Sequence, residues 1–152
     1  MSIQEQINID IKEAMRERNA DKLAALRAVK SAIMLEATKK GMTIVPDKVS
    51  LALINKLVKQ RKDSAAIFID QNRQDLANDE TIQSSYLQEY LPAQMSEDEV
   101  LEIVREVIDQ LGGSSFASMG KCMDLLLARL NGQADGALIS RLVRQELSLN
   151  LG

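Results

Sequence analysis

The residues best suited to chemistry lie in one stretch, MGKCMDLLLARLNGQADG, from Met119 to Gly136. A Gly120-Lys121 pair opens an apolar helical run, Asn131-Gly132 breaks it, and Gln133-Ala134-Asp135-Gly136 starts another helix that carries Arg141. A helix N-terminus presents four N–H groups without intrahelical partners and roughly half a positive charge, so it suits a phosphate or carboxylate. Gly120 and Gly136 would leave the backbone open to a ligand. Gly120, Lys121, Gly132, Gln133, Asp135, Gly136 and Arg141 are therefore the first candidate site, for RNA or another anion. The same residues also read as a plain helix corner. Asn131-Gly132 suits a left-handed helix stop, and Asp135 suits an N-cap.

Lys56, Lys59 and Lys62 form a second basic patch, with Arg61 beside them. At 100° per residue the three lysines share one helix face. Without interleaved aromatics, such a patch can hold phosphates but offers bases no stacking platform.

Other chemistries find less support. Histidine is absent, which removes Ser-His-Asp and Cys-His arrangements and histidine metal sites. Cys122, the single cysteine, excludes an internal disulfide, fits a reducing compartment and reads as a core thiol. Ser96-Glu97-Asp98-Glu99 with Glu102 resembles a divalent-cation cluster, but a capping box explains the same residues. Neither a metal nor a cofactor is implied.

The 152 residues are 45% apolar, with two Pro, two Tyr, two Phe and no Trp. β-rich chains want more aromatic and β-branched residues, so this composition points to an all-α protein. Residues 1–92 carry a net charge of +1 and residues 93–152 a net of −4. An overall basic nucleic-acid footprint is thus missing, and RNA contact must rest on local patches. No apolar run reaches the ~20 residues of a membrane span. The N-terminus reads as an amphipathic helix with acidic residues, not a signal peptide, and the plain expectation is a cytoplasmic protein.

Hydrophobic spacing predicts seven helices. The first runs over about 2–18, with Ile3, Ile7, Ile11, Ala14 and Met15 inward, and Asn19 breaks it. Asp21 is the expected cap of the second, which faces Leu23, Leu26, Val29, Ile33 and Ala37 inward and stops at Gly41. Pro46-Asp47 starts a long third helix along Val49, Leu53, Lys56/Leu57, Gln60, Ser64, Ile67 and Phe68, ending near Asn72. Asp75 is the expected cap of the fourth, polar and loosely packed at its start, reaching about Tyr90. Leu91-Pro92 marks a boundary. Ser96-Glu97-Asp98-Glu99 then caps a fifth helix, flanked by a Met95–Val100 staple. Val100, Ile103, Val104, Val107, Ile108 and Leu111 face inward, and Gly112-Gly113 end it, with Ser114 and Ser115 as caps for the next helix. The sixth and seventh span about 119–130 and 135–147. The expected organisation is an N-terminal domain of about four helices over 1–92 and a compact three-helix domain over 93–152.

KQRKDS at 59–64, NRQDLA at 72–77, EYLPAQMS at 89–96, MGKCM at 119–123 and GQADG at 132–136 together resemble the YqeY-like proteins. The C-terminal part resembles the tail domain of the B subunit of the tRNA-dependent Asp/Glu amidotransferase. The resemblance implies an all-α fold and a link to tRNA or to an amidotransferase-like partner. It also implies a family label of carbon–nitrogen ligase with glutamine as amide donor. Two departures stand out. Gln133 replaces the lysine usual in the Gly-Lys-Ala-Asp-Gly loop, and Ser84-Ser85 interrupt the fourth helix. Gly112-Gly113-Ser114-Ser115 is similar to the Gly-Gly-Ser-Ser of amidases, but those are large α/β enzymes. No residue set here activates a carboxylate unaided. The expected role is an accessory module that binds tRNA or another structured RNA, or works beside an amidotransferase-like protein. The alternative is a helical protein–protein adaptor with no RNA role.

Overall fold

A computed structural model describes residues 1–149. The protein is all-α. Among the described residues there are seven helices and no strand: α1 (Ile3–Glu17), α2 (Ala20–Lys40), α3 (Asp47–Asp70), α4 (Gln74–Gln88), α5 (Glu97–Gln110), α6 (Met119–Arg129) and α7 (Gly136–Leu149). Contacts divide the chain into two compact units that meet in sequence at Leu91 and Pro92. The last three residues of the expected C-terminal domain lie outside the described residues.

In the first unit, α1 and α2 form a hairpin through two residues. Arg18 takes the left-handed conformation (φ 57°), and its N–H and that of Asn19 close the last carbonyls of α1. Asn19 then caps α2, its side chain accepting the Lys22 N–H at 3.1 Å. The cap is therefore Asn19 and not Asp21, which sits in the first turn. An N-cap must precede the first helical residue so that its oxygen can reach the free N–H groups. The same reasoning corrects α4. Arg73 holds the cap position without a side-chain cap bond, and Asp75 lies one residue inside the helix, paired with Arg73 at 3.1 Å. Gly41 (φ 64°) stops α2 as expected.

The core of this unit is Ile7, Ile11, Ala14, Leu26, Val29, Ile33, Val45, Ile54, Val58 and Leu87. Met15 points outward instead, because Ala14 already occupies the buried side of that turn. The buried stripe of α3 runs through Ser50, Ile54, Val58 and Ala65, with Val49, Leu53 and Leu57 along its edge and Ile67 exposed. α4 is not loose at its start: Ala77 is buried there, as are Ser84 and Leu87 further on. The small side chains of Ala65, Ala77 and Ser84 keep the buried faces of α3 and α4 narrow. Two tyrosines close the rim. Tyr86 Oη accepts from Asn19 Nδ2 at 2.9 Å, and Tyr90 donates a short hydrogen bond to Asp10.

The second unit buries Val100, Val104, Val107, Ile108, Cys122, Leu126, Leu130, Ile139, Leu142 and Val143. Its capping box is present in full. The Ser96 side chain accepts the Glu99 N–H at 3.2 Å, and the Glu99 carboxylate accepts the Ser96 N–H at 3.1 Å. The Ser96 N–H, with the Ser96 hydroxyl second to it, holds the Glu99 carboxyl below its usual pKa. Gly112 (φ 95°) and Gly113 (φ 91°) end α5, with the Gly113 N–H bonded to the Ile108 carbonyl. The cap of α6 is Ser118, which accepts the Lys121 N–H at 3.2 Å, not Ser114 or Ser115. Glu146, only 9% exposed, receives both arms of the Arg105 guanidinium at 3.2 and 3.3 Å and ties α7 to α5.

This packing sets two stability outcomes. In urea unfolding, Ser96→Ala should cost about 1 kcal/mol, and Leu126→Ala about 2–5 kcal/mol through the cavity it leaves. A silent Leu126→Ala would refute the core assignment. Burial and the neighbouring Asp10 carboxylate raise the Tyr90 pKa. The folded phenol therefore keeps its proton, whereas an unfolded tyrosine ionises near pH ~10. The stability it supplies is whole below that pH and is lost as pH rises beyond it. Tyr90→Phe should lower stability at neutral pH and shrink the alkaline loss, measured by thermal melts across pH 8–11.

Candidate functional site

The corner between α6 and α7 is built by packing. Gly132 is buried with φ 77°, the left-handed geometry that Asn131-Gly132 foretold. Its carbonyl accepts the Gln94 side-chain amide at 2.6 Å, and the Gln133 carbonyl accepts the Met95 N–H at 3.0 Å. The Gln133 N–H closes back on Leu130 at 2.9 Å. Asp135 stands at the N-cap position of α7, where its carbonyl accepts the Ile139 N–H. The corner thus clasps the segment that leads into α5, and its polar backbone faces that segment.

This clasp brings Arg141 to the first turn of α5, where it meets the Glu97 carboxylate at 2.5 Å. Asp98 and Glu99 lie in the same turn. An anion approaching the corner therefore meets three carboxylates and an arginine that is already neutralised. Lys121 is placed elsewhere. It is exposed in the first turn of α6, and ten residues of helix at 1.5 Å each separate it by roughly 15 Å from Asn131. The candidate site groups Gly120 and Lys121, at the start of α6, with the loop. The length of α6 keeps them at opposite ends. Neither glycine is required for close approach: a Cβ on Gly120 would meet nothing within 4 Å, and one on Gly136 would sit 3.8 Å from Leu127, an ordinary contact.

The second patch has a different setting. Lys56, Lys59 and Lys62 are all exposed on α3, and Lys48 extends the same face two turns earlier. Exposed Ala52 and Ala66 lie between and beyond the lysines, leaving the stripe sterically open. Asp63 stands 3.9 Å from Lys59, at the limit of an ion pair. Arg61 leaves the stripe, donating to Gln83 of α4 at 3.2 Å. Lys48 is the residue that sequence reasoning missed. Its signal was the i, i+4, i+8 spacing through Ala52 to Lys56.

Elsewhere, Cys122 is buried and burial raises its thiol pKa, which makes it a poor nucleophile. Ser114 and Ser115 sit in the turn between α5 and α6. Among the described residues no three His, Cys, Asp or Glu side chains gather as metal ligands, and no helix is long and apolar enough to cross a membrane.

The chain belongs to the YqeY-like family, whose sequence model, described as Yqey-like protein, matches residues 4–147. It is also similar to a protein of Pyrenophora tritici-repentis (strain Pt-1C-BFP) named "Altered inheritance of mitochondria protein 41, mitochondrial". The two are 29% identical over 143 residues, which cover 91% of this chain and 77% of that protein.

The corner geometry separates two glycines by their backbone. Gly132→Ala should cost about 1–2 kcal/mol, because a Cβ is strained at that φ. Gly136→Ala should be neutral or stabilising by up to about 1 kcal/mol. Urea unfolding of the two variants checks this. Equal destabilisation would contradict the reading of the corner.

Proposed function

We propose that this YqeY-like chain is an accessory binding module for tRNA or another structured RNA, working beside amidotransferase-like machinery, and that α3 makes its principal phosphate contact. One observation carries the reading: Lys56, Lys59 and Lys62 are exposed in register on one face of the longest helix. Successive lysines three residues apart rise ~4.5 Å along a helix, a spacing over which flexible ammonium groups can track a phosphate backbone. The resemblance of the C-terminal unit to an amidotransferase tail supports the RNA link. Lys121 remains a secondary contact in that unit. The binding is to backbone and shape, since the stripe carries no aromatic residue. The proposed compartment is the cytoplasm, which suits a single reduced thiol. The relative's name raises a mitochondrial interior as the other reducing option.

The alternative is a protein–protein adaptor with no RNA role, which the exposed helix faces also suit. Filter binding of two different tRNA transcripts at two salt concentrations separates the readings. Lys56→Ala, Lys59→Ala and Lys62→Ala should each weaken both RNAs about equally and flatten the salt dependence by roughly one charge. Lys121→Ala should have a smaller effect. If Lys121→Ala abolishes binding and the α3 variants leave it intact, the contact lies in the second unit. No binding at low salt, where electrostatic contacts are strongest, would replace the RNA reading with the adaptor.

A further inference from the structure

A small cleft opens between α1 and α2. Ile7 and Ile33 form its floor, Gln4 and Asn8 line the α1 side, and Lys30 and Met34 line the α2 side. Gln4 is fixed there. Its amide donates to the Thr43 carbonyl at 3.3 Å, and its carbonyl accepts the Val45 N–H at 2.9 Å. Ile44, held between those two residues, is 73% exposed. On α2, Met34 is 57% and Leu35 69% exposed. One end of the cleft therefore carries exposed Met34, with exposed Ile44 next to the backbone that Gln4 pins.

The other end is basic. Lys12 follows Gln4 and Asn8 at i+4 spacing on α1, and Arg27 precedes Lys30 by one turn on α2. Because the two helices form an antiparallel hairpin, these steps run in the same direction along the cleft. Lys12, Arg27 and Lys30 are exposed, and none of them makes an ion pair among the described residues. Apolar floor, aliphatic end and cationic rim form the complement of an amphipathic helix with acidic flanks, which would lay its apolar face into the cleft. RNA fits less well, since exposed Met34 and Ile44 would meet phosphate or sugar, with no aromatic surface for bases.

We propose that the α1–α2 cleft is a docking site for an acidic amphipathic helix of a partner protein. It is separate from the lysine stripe of α3 and does not depend on the RNA reading.

Photo-crosslinking tests it. The full chain carries a benzophenone amino acid in place of Met34, with exposed Gln110 replaced in a control chain, and both are irradiated in native lysate. Crosslinked peptides are sequenced. The position-34 probe should capture a protein segment of net negative charge with apolar residues at i, i+3 and i+4. The yield should fall at least fivefold with Lys30→Glu and recover with Lys30→Arg, while circular dichroism shows both variants folded. Capture of RNA, of a second copy of this chain, or of a segment without acidic flanks would overturn the proposal. So would a yield indifferent to Lys30→Glu, or no capture above the Gln110 control.

Discussion

Both cores are closed by branched aliphatic side chains. With two tyrosines, two phenylalanines and no tryptophan in 152 residues, no single large ring can fill a gap. Many small contacts must do so instead, and these are lost steeply when packing loosens. Each helix therefore commits one narrow stripe to burial, such as Ile7, Ile11 and Ala14 on α1 or Val100, Val104 and Val107 on α5. Everything else on the helix is left to water. The two tyrosines sit at the edge, where Tyr90 and Tyr86 reach polar partners on α1 and at the α1–α2 turn. Arg105 and Glu146 close the second unit in the same manner.

That division has a functional consequence. Narrow buried stripes leave broad exposed faces, and the charge on them is unevenly spent. In the second unit it is largely internal: Arg141 with Glu97, Arg129 with Glu106 and Arg105 with Glu146. In the first unit, the lysines of α3 and the cationic rim of the α1–α2 cleft are exposed. The first unit is thus the better placed to meet an anionic surface, although MGKCM and GQADG draw attention to the second.

The fold was legible where local chemistry decides it. The Ser96 box, the Gly41 stop and the glycine end of α5 all act within a few residues, and the structure has them where spacing predicted. Faces were less legible where small residues are buried. Ser50, Ala65, Ala77 and Ser84 lie inside because α3 and α4 approach closely, and hydrophobic periodicity does not see a buried serine or alanine. Caps slipped by two residues at Asn19 and Arg73, where a polar run offered several acceptors. The candidate site was legible as residue types but not as a place. Gly132 and Asp135 took their backbone roles, yet the clasp by Gln94 and Met95 and the pairing of Arg141 with Glu97 are long-range contacts. The distance between Lys121 and the corner is different in kind, since the length of α6 alone sets it and that length is readable from the sequence.

If the α3 lysine face, and not the α6–α7 corner, meets nucleic acid, the contact is visible residue by residue in solution. Amide chemical-shift mapping of the isotope-labelled chain, titrated with an unmodified tRNA transcript at low salt, tests this most directly. Dose-dependent shifts are expected along residues 48–66 that vanish at high salt, with residues 131–136 unmoved. Shifts confined to 131–141, or none anywhere at low salt, would contradict an α3 contact.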